Sequence, residues 1–325
     1  MPPTQRPLAA ERDAFARQIA TVRSQFESVV ENVRKVIIGK EDVIARVLVA
    51  MTARGHVLLR DVPGVGKTVL AKSIAASLAC TFKRIQFTPD LLPMDVAGSN
   101  VFDMRKKSFE FQPGPVFAHI LLADEINRAT PKTQSALLEV MEERQVTVEG
   151  ETHPLEPPFQ VLATMNPLDH EGTYPLPAAQ MDRFMMMLSM GYPSEAAEVQ
   201  MLGVHLQPEA PLQDLSAVVT REDFLGWQRA VPYVYVSDDL KRYLVAVVGA
   251  LRGDPRNLQS VSPRSSILLA RAAQARAMLK GRDYATAEDV QVMAPDVLGH
   301  RVMLVDARAG REFVTETLAR VAVPG

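Results

Sequence analysis

"HVLLRDVPGVGKTVLAKSIA", residues 56–75, changes texture twice within one short stretch. "HVLLR" is an apolar run bounded by Gly55 and Pro63, with the length and neighbours of a buried strand. Asp61–Gly66 carries a proline and two glycines, which is turn chemistry. From Lys67 onward the apolar residues fall at helical spacing. Strand, glycine-rich turn and helix in this order are the start of a parallel α/β unit.

Glycine, four residues, glycine, lysine and serine or threonine, set between a strand and a helix, form a loop whose amides cradle phosphates. Gly66, Lys67 and Thr68 match that pattern, while Asp61 stands where the first glycine belongs. Pro63 and Gly64 can still turn the chain, and Gly66 lets the backbone approach an anion at the helix N-terminus. The candidate cradle is Pro63, Gly64, Val65, Gly66, Lys67, Thr68 and Val69. Lys67 would reach the β- and γ-phosphates of ATP, and the Thr68 hydroxyl would hold Mg²⁺. A strand-to-helix turn with a solvated lysine is the plain alternative.

Two further segments decide between these readings. "HILLADE", residues 119–125, is an apolar strand that delivers Asp124 and Glu125 to the carboxyl edge of a sheet, where open α/β sheets bind ligands. Asp124 suits the Mg²⁺ shell, and Glu125 suits polarising a water for in-line attack. "VLATMNP", residues 161–167, ends a strand at Asn166, whose amide can hydrogen-bond the attacking water or the γ-phosphate. Strand-like and helix-like units alternate to about Tyr192, adding "FKRIQF" and "FMMMLSM" to the strands. The fold expected is α/β, a mostly parallel sheet between helices, followed by a small all-helical domain.

The domain boundary is expected near Pro193, with residues 36–192 as the nucleotide-binding core and 193–325 as the helical domain. Residues 1–35 read as an N-terminal helical segment packing on the core. In the helical part, Ser237 can cap a helix with Leu240, Leu244, Val247 and Leu251 on its apolar face. Pro263 can open another helix, and Thr286 with Asp289 caps a third.

"VIIGKED", "DVPGVGKT", "ILLADEINRATPKTQSALLEVMEERQVTVEG", "VLATMNP", "YPLPAAQMDRF" and "SPRSSILLARAAQARAMLKGRDYATAEDV" together resemble the AAA+ ATPases of the MoxR family. That resemblance covers nearly the whole chain and implies a P-loop core with a helical lid. It implies that Asn166 is the sensor-1 residue, Arg264 the sensor-2 arginine of the lid, and Arg183 an arginine finger inserted by a neighbouring subunit. Ile38 and Gly39 resemble the segment lining the adenine pocket. Residues 91–117 resemble the helix-2 insertion shared with magnesium chelatases and replicative helicases. The resemblance further implies a homo-oligomeric, hexameric ring that remodels protein clients beside a partner bearing a von Willebrand factor A domain. For Arg183, a salt bridge with Asp182 or Glu195 is the alternative; for Arg264, an ordinary surface arginine at a helix start.

Composition narrows the classes. A chain of 325 residues that is 47% apolar can bury a large core, and a net charge of −2 gives no global field favouring nucleic acid or an anionic membrane. A nucleic-acid-stimulated motor and an ATP-binding scaffold with little turnover remain the alternatives to a remodelling ATPase. No uncharged run reaches membrane-spanning length, and prolines and charges fill the first residues where a secretory leader would be apolar, so a cytoplasmic location is expected. Cys80, the single cysteine, reads as an ordinary buried residue. The six histidines lack paired ligand spacing, so no zinc site is expected. Arg105, Lys106 and Lys107 form a basic tip in the insertion, read as a solvated turn with client or nucleic-acid contact as the alternative.

Overall fold

The computed structural model describes residues 9–167, 172–206, 215–259, 261–304 and 310–324. Its elements are α1 (Ala9–Arg34), α2 (Glu41–Thr52), β1 (His56–Arg60), α3 (Lys67–Ser77), β2 (Phe82–Gln86), α4 (Pro93–Ala97), β3 (Gly98–Asp103), β4 (Ser108–Pro113) and β5 (Ile120–Asp124). They continue with α5 (Pro131–Glu143), β6 (Gln145–Val148), β7 (Glu151–Pro154), β8 (Gln160–Met165), α6 (Ala178–Met181), β9 (Phe184–Leu188) and α7 (Glu195–His205). The last are α8 (Arg221–Ala230), α9 (Asp238–Gly253), α10 (Pro263–Leu279), α11 (Ala287–Leu298) and α12 (Gly310–Arg320).

Two compact units emerge: Val30–Leu225, and the residues up to Val29 together with those from Gly226 onward. In the first, five strands form one sheet in the order β2-β5-β8-β1-β9, every neighbouring pair parallel. All five are the runs expected from the sequence. β5 and β8 lie inside the sheet and bury nearly every residue, which is why they read as continuous apolar runs. β2 is an edge strand, with Ile85 buried between the exposed Arg84 and Gln86. Because the strands are parallel, Arg60, Gln86, Asp124, Met165 and Leu188 share the carboxyl edge, and His56, Phe82, Ile120, Gln160 and Phe184 share the amino edge.

The insertion is built from α4 and the antiparallel hairpin β3/β4, with Phe102 opposite Phe109. The second hairpin, β6/β7, pairs Val146 with His153 and Val148 with Glu151. Phe111 of β4 stacks on His153 of β7 with ring centroids 3.8 Å apart.

The helical unit follows its capping signals. Ser237 accepts a hydrogen bond from the Leu240 amide at 3.1 Å, and Leu240, Leu244, Val247 and Leu251 are buried. Thr286 and Asp289 form the capping box of α11. Trp227 is buried and donates its indole N–H to Gln25 at 2.9 Å, while Phe15 packs edge-on against Tyr233.

Those contacts divide the chain differently from the boundaries drawn on the sequence at 35 and 193. α1 up to Val29 belongs with the helical unit through Gln25 and Phe15. The chain beyond Pro193 stays with the sheet as far as Leu225, because the Val218 and Val219 amides both donate to the Ser77 carbonyl at 3.0 Å and Asn32 donates to Ser216.

Candidate nucleotide site

Gly64 and Gly66 have φ values of 86° and 90°, a region that other L-residues enter only with strain, and Gly66 is the N-cap of α3. The loop therefore turns on glycine and presents the first amides of α3 to the carboxyl edge of the sheet. Asp61, the departure from the generic pattern, has an anchoring job. Its carboxylate is 5% exposed and accepts hydrogen bonds from the Ser189 hydroxyl at 2.7 Å, the Met190 amide at 2.6 Å and the Gly191 amide at 3.1 Å. The loop's entry is thus tied to the chain leaving β9. Lys67 arches back over the loop, donating to the carbonyls of Asp61 at 2.8 Å and Val62 at 3.1 Å. Burial pulls its pKa down, and the carboxylates of Asp61, Asp124 and Glu125 oppose that shift. Ile37 lies 3.8 Å from where a Cβ on Gly66 would sit, which puts the Ile38–Gly39 segment beside the cradle. Gly39, at φ 69°, passes so close to α7 that an added Cβ would meet Ala197 at 2.9 Å.

The paired acids sit on the same edge. Asp124, at the end of β5, is 8% exposed. Its Oδ1 accepts the Thr164 hydroxyl at 2.6 Å, and its Oδ2 accepts Nε and Nη2 of Arg84 at 3.0 and 2.6 Å. Glu125 then takes a left-handed turn at φ 56°, its amide donating to Thr164 Oγ1 at 2.8 Å. Its carboxylate Oε2 accepts Gln86 at 2.8 Å and Arg128 at 2.9 Å. Asn166 follows β8 directly and is 7% exposed; the preceding Met165 carbonyl accepts the Asp61 amide at 3.1 Å. Cradle, acid pair and asparagine therefore share one edge of one sheet.

The available donors suit a small hard cation. Thr68 offers a hydroxyl and Asp124 a carboxylate, both oxygen. Among the described residues no three His, Cys, Asp or Glu side chains gather into a metal cage. Mg²⁺ fits such a site, since it keeps most of its oxygens from phosphate and water.

Residues 56–186 match the family model described as "ATPase family associated with various cellular activities (AAA)", and residues 254–321 match "AAA lid domain". Chaperone MoxR1 of Mycobacterium tuberculosis is 39% identical over 95% of this chain and 85% of its own. YeaC of Bacillus subtilis, an uncharacterized protein, is 48% identical over 91% of this chain and 93% of its own. A crystal structure of a candidate ATPase from Cytophaga hutchinsonii superposes with a TM-score of 0.89 at 36% identity, covering 97% of this chain and 99% of that one. The chain belongs to the MoxR family of AAA+ ATPases.

Of the residues that the MoxR resemblance singled out, Arg183 lies apart from the cradle within the α/β unit. Arg183 precedes β9 at the amino edge, where Phe184 pairs with His56. Its Nε meets Glu142 of α5 at 3.2 Å. With Ser135, Glu139, Glu143, Gln145 and Gln180 it lines an open cleft of about 620 Å³. A five-residue strand separates the two edges, roughly 13–17 Å at the usual rise. Arg264 is exposed in the first turn of α10, in the helical unit.

Motif reading passed over Arg84, Gln86, Thr164 and Arg128, all of which touch the acid pair. Arg84 and Gln86 sit two apart on the last residues of an edge strand, and so share one face at the working edge. Thr164 sits two before Asn166, in a strand otherwise apolar after Gln160. These periodicities were the available signal.

Proposed function

We propose that the protein is a Mg²⁺-dependent ATPase that works as a homo-oligomeric ring to remodel or assemble protein clients, acting in the cytoplasm. The carrying observation is the meeting of Lys67, Thr68, Asp124, Glu125 and Asn166 at one sheet edge with Arg183 at the other. Amides of the Gly64–Val69 loop hold the phosphate chain, and Lys67 leaves its carbonyl partners for the β- and γ-phosphates. Thr68 and Asp124 would hold Mg²⁺, which neutralises charge on the transferring phosphoryl group. Glu125 takes a proton from the attacking water, and Asn166 orients that water against the γ-phosphate.

Arg183 is out of reach of its own cradle, so as a finger it serves the site of a neighbouring copy. One such arginine is worth about 10³–10⁵ in rate. Glu142 holds it in place until a neighbour docks. Sensor 2, Arg264, reports the nucleotide to the lid. Support for client remodelling comes from the relative named a chaperone, and a von Willebrand factor A partner is proposed on the family resemblance alone. Among the described residues no helix is long and apolar enough to cross a membrane.

Glu125→Gln tests the chemistry. Turnover is expected to fall by about 10²–10⁴ while ATP binding is retained, as measured by phosphate release and calorimetry. Unchanged turnover removes Glu125 as the base. For the ring, specific activity is expected to rise with protein concentration, and Arg183→Ala to flatten that rise; a concentration-independent rate in both proteins defeats action across subunits.

A further inference from the structure

Asp124 is already served by the protein before any ligand arrives. Thr164 occupies one oxygen at 2.6 Å, and two N–H groups of Arg84 converge on the other at 3.0 and 2.6 Å. Arg84 also donates to Gln86 at 2.7 Å, and Gln86 in turn to Glu125 at 2.8 Å, so one side chain braces both acids. Without Arg84, Asp124 would keep its bond to Thr164 but lose its guanidinium, while the neighbouring Glu125 would keep Arg128. Two neighbouring carboxylates attract divalent ions. A guanidinium in contact with one of them opposes that attraction at short range.

We propose that Arg84 is a positioning residue that holds divalent cations off Asp124 in the nucleotide-free protein, so that the metal enters only together with a polyphosphate. This rests on the nucleotide reading of the same edge. Two features fit Arg84 for the role. It stands on the edge strand β2, where its side chain is 46% exposed while the side chain of Asp124 is 12% exposed, so it can yield without disturbing the sheet. It also grips a single carboxylate oxygen, leaving Thr164 to keep the carboxylate oriented when the guanidinium moves.

The experiment titrates Mn²⁺ alone into nucleotide-free, full-length protein and reads free Mn²⁺ by electron paramagnetic resonance. Binding at least tenfold tighter is expected in Arg84→Gln than in wild type. Arg84→Lys, which keeps the charge, is expected to match wild type, and adding Asp124→Asn to Arg84→Gln is expected to abolish the gain. Circular dichroism checks folding; if Arg84→Gln does not fold, Arg84→Met, which keeps the aliphatic stem, reads the same comparison. Equal Mn²⁺ binding in wild type and the neutral variant overturns the proposal, as does Arg84→Lys behaving like Arg84→Gln. ADP binding with Mg²⁺ present is measured on the same proteins: its absence in wild type would defeat the nucleotide reading, while the Mn²⁺ comparison would still stand or fall by itself.

Discussion

Asp289 in the helical unit and Asp124 in the α/β unit are both paired with arginine, yet their surroundings differ in kind. The Asp289 side chain is fully buried and accepts from Arg282 at 2.6 and 2.7 Å, from the Thr286 amide at 2.8 Å and hydroxyl at 3.0 Å, and from Arg276. Burial pushes its carboxyl pKa up, but the hydrogen bonds from Arg282, Thr286 and Arg276 outweigh that and hold it below the usual carboxylate range. Its arginines are themselves largely covered, at 13% and 25% exposure. Asp124 is served by a half-exposed arginine on an edge strand. A carboxylate saturated by covered donors caps a helix and joins two segments; one held by a partner free to leave is available for chemistry.

The largest expected effect breaks this contrast directly. Asp289→Ala leaves two arginines with an uncompensated buried partner site, and a loss of about 3–5 kcal/mol is expected in urea denaturation. Asp124→Asn keeps the Thr164 contact and should cost no more than about 1–2 kcal/mol. Its expected consequence, on the proposed role of Asp124, is instead the loss of metal-dependent ATP turnover. Equal destabilisation by both substitutions would make Asp124 a structural aspartate like Asp289.

A second contrast lies between the two edges of the sheet. The carboxyl edge presents acids, whereas the amino edge buries His56, which accepts the Val161 amide on Nδ1 at 2.9 Å and therefore donates from Nε2 to the Met141 carbonyl at 3.1 Å. Burial lowers its pKa from 6.5 to about 4, with Arg144 adding to the shift and the Met141 bond opposing it. Below pH 6.5 the unfolded chain takes up a proton that the folded one refuses until about pH 4. Stability is therefore full above pH 6.5 and is lost as pH falls through that window, by at most about 3 kcal/mol. Denaturation midpoints measured at pH 7 and pH 5 should differ in wild type and differ less in His56→Gln. An undiminished slope in the variant would assign the acid sensitivity elsewhere.

What the sequence disclosed follows the range of the forces involved. Four of the five core strands, all but the edge strand β2, were legible because buried strands write nearly unbroken apolar runs, and the cradle because φ near 90° at Gly66 calls for glycine. Asp124, Glu125 and Asn166 were legible as strand ends. The unit boundary was not, since it depends on Trp227 meeting Gln25 some two hundred residues away. Nor was the partner of Arg183: Asp182 and Glu195 are near in sequence, while Glu142 reaches it across the fold from α5. The brace around the acids depends on register, with Gln86 opposite Asp124 and Ala123 opposite Ala163, and register is a product of the assembled sheet.

Thr164 gives the smallest of the expected effects and the most specific. Glu125 holds φ 56°, a conformation that costs a non-glycine residue about 1–2 kcal/mol, and the hydroxyl of Thr164 sustains it by accepting the Glu125 amide while donating to Asp124. Thr164→Val keeps the shape and removes both bonds. A stability loss of about 1–2 kcal/mol is expected, with turnover about tenfold lower because Glu125 is less often aimed at its water. Thr164→Ser, which restores the hydroxyl, should recover the rate. A purely packing role would instead make Val the better substitute, and a rate retained in Thr164→Val but lost in Thr164→Ser would detach the geometry of the acid pair from this hydroxyl.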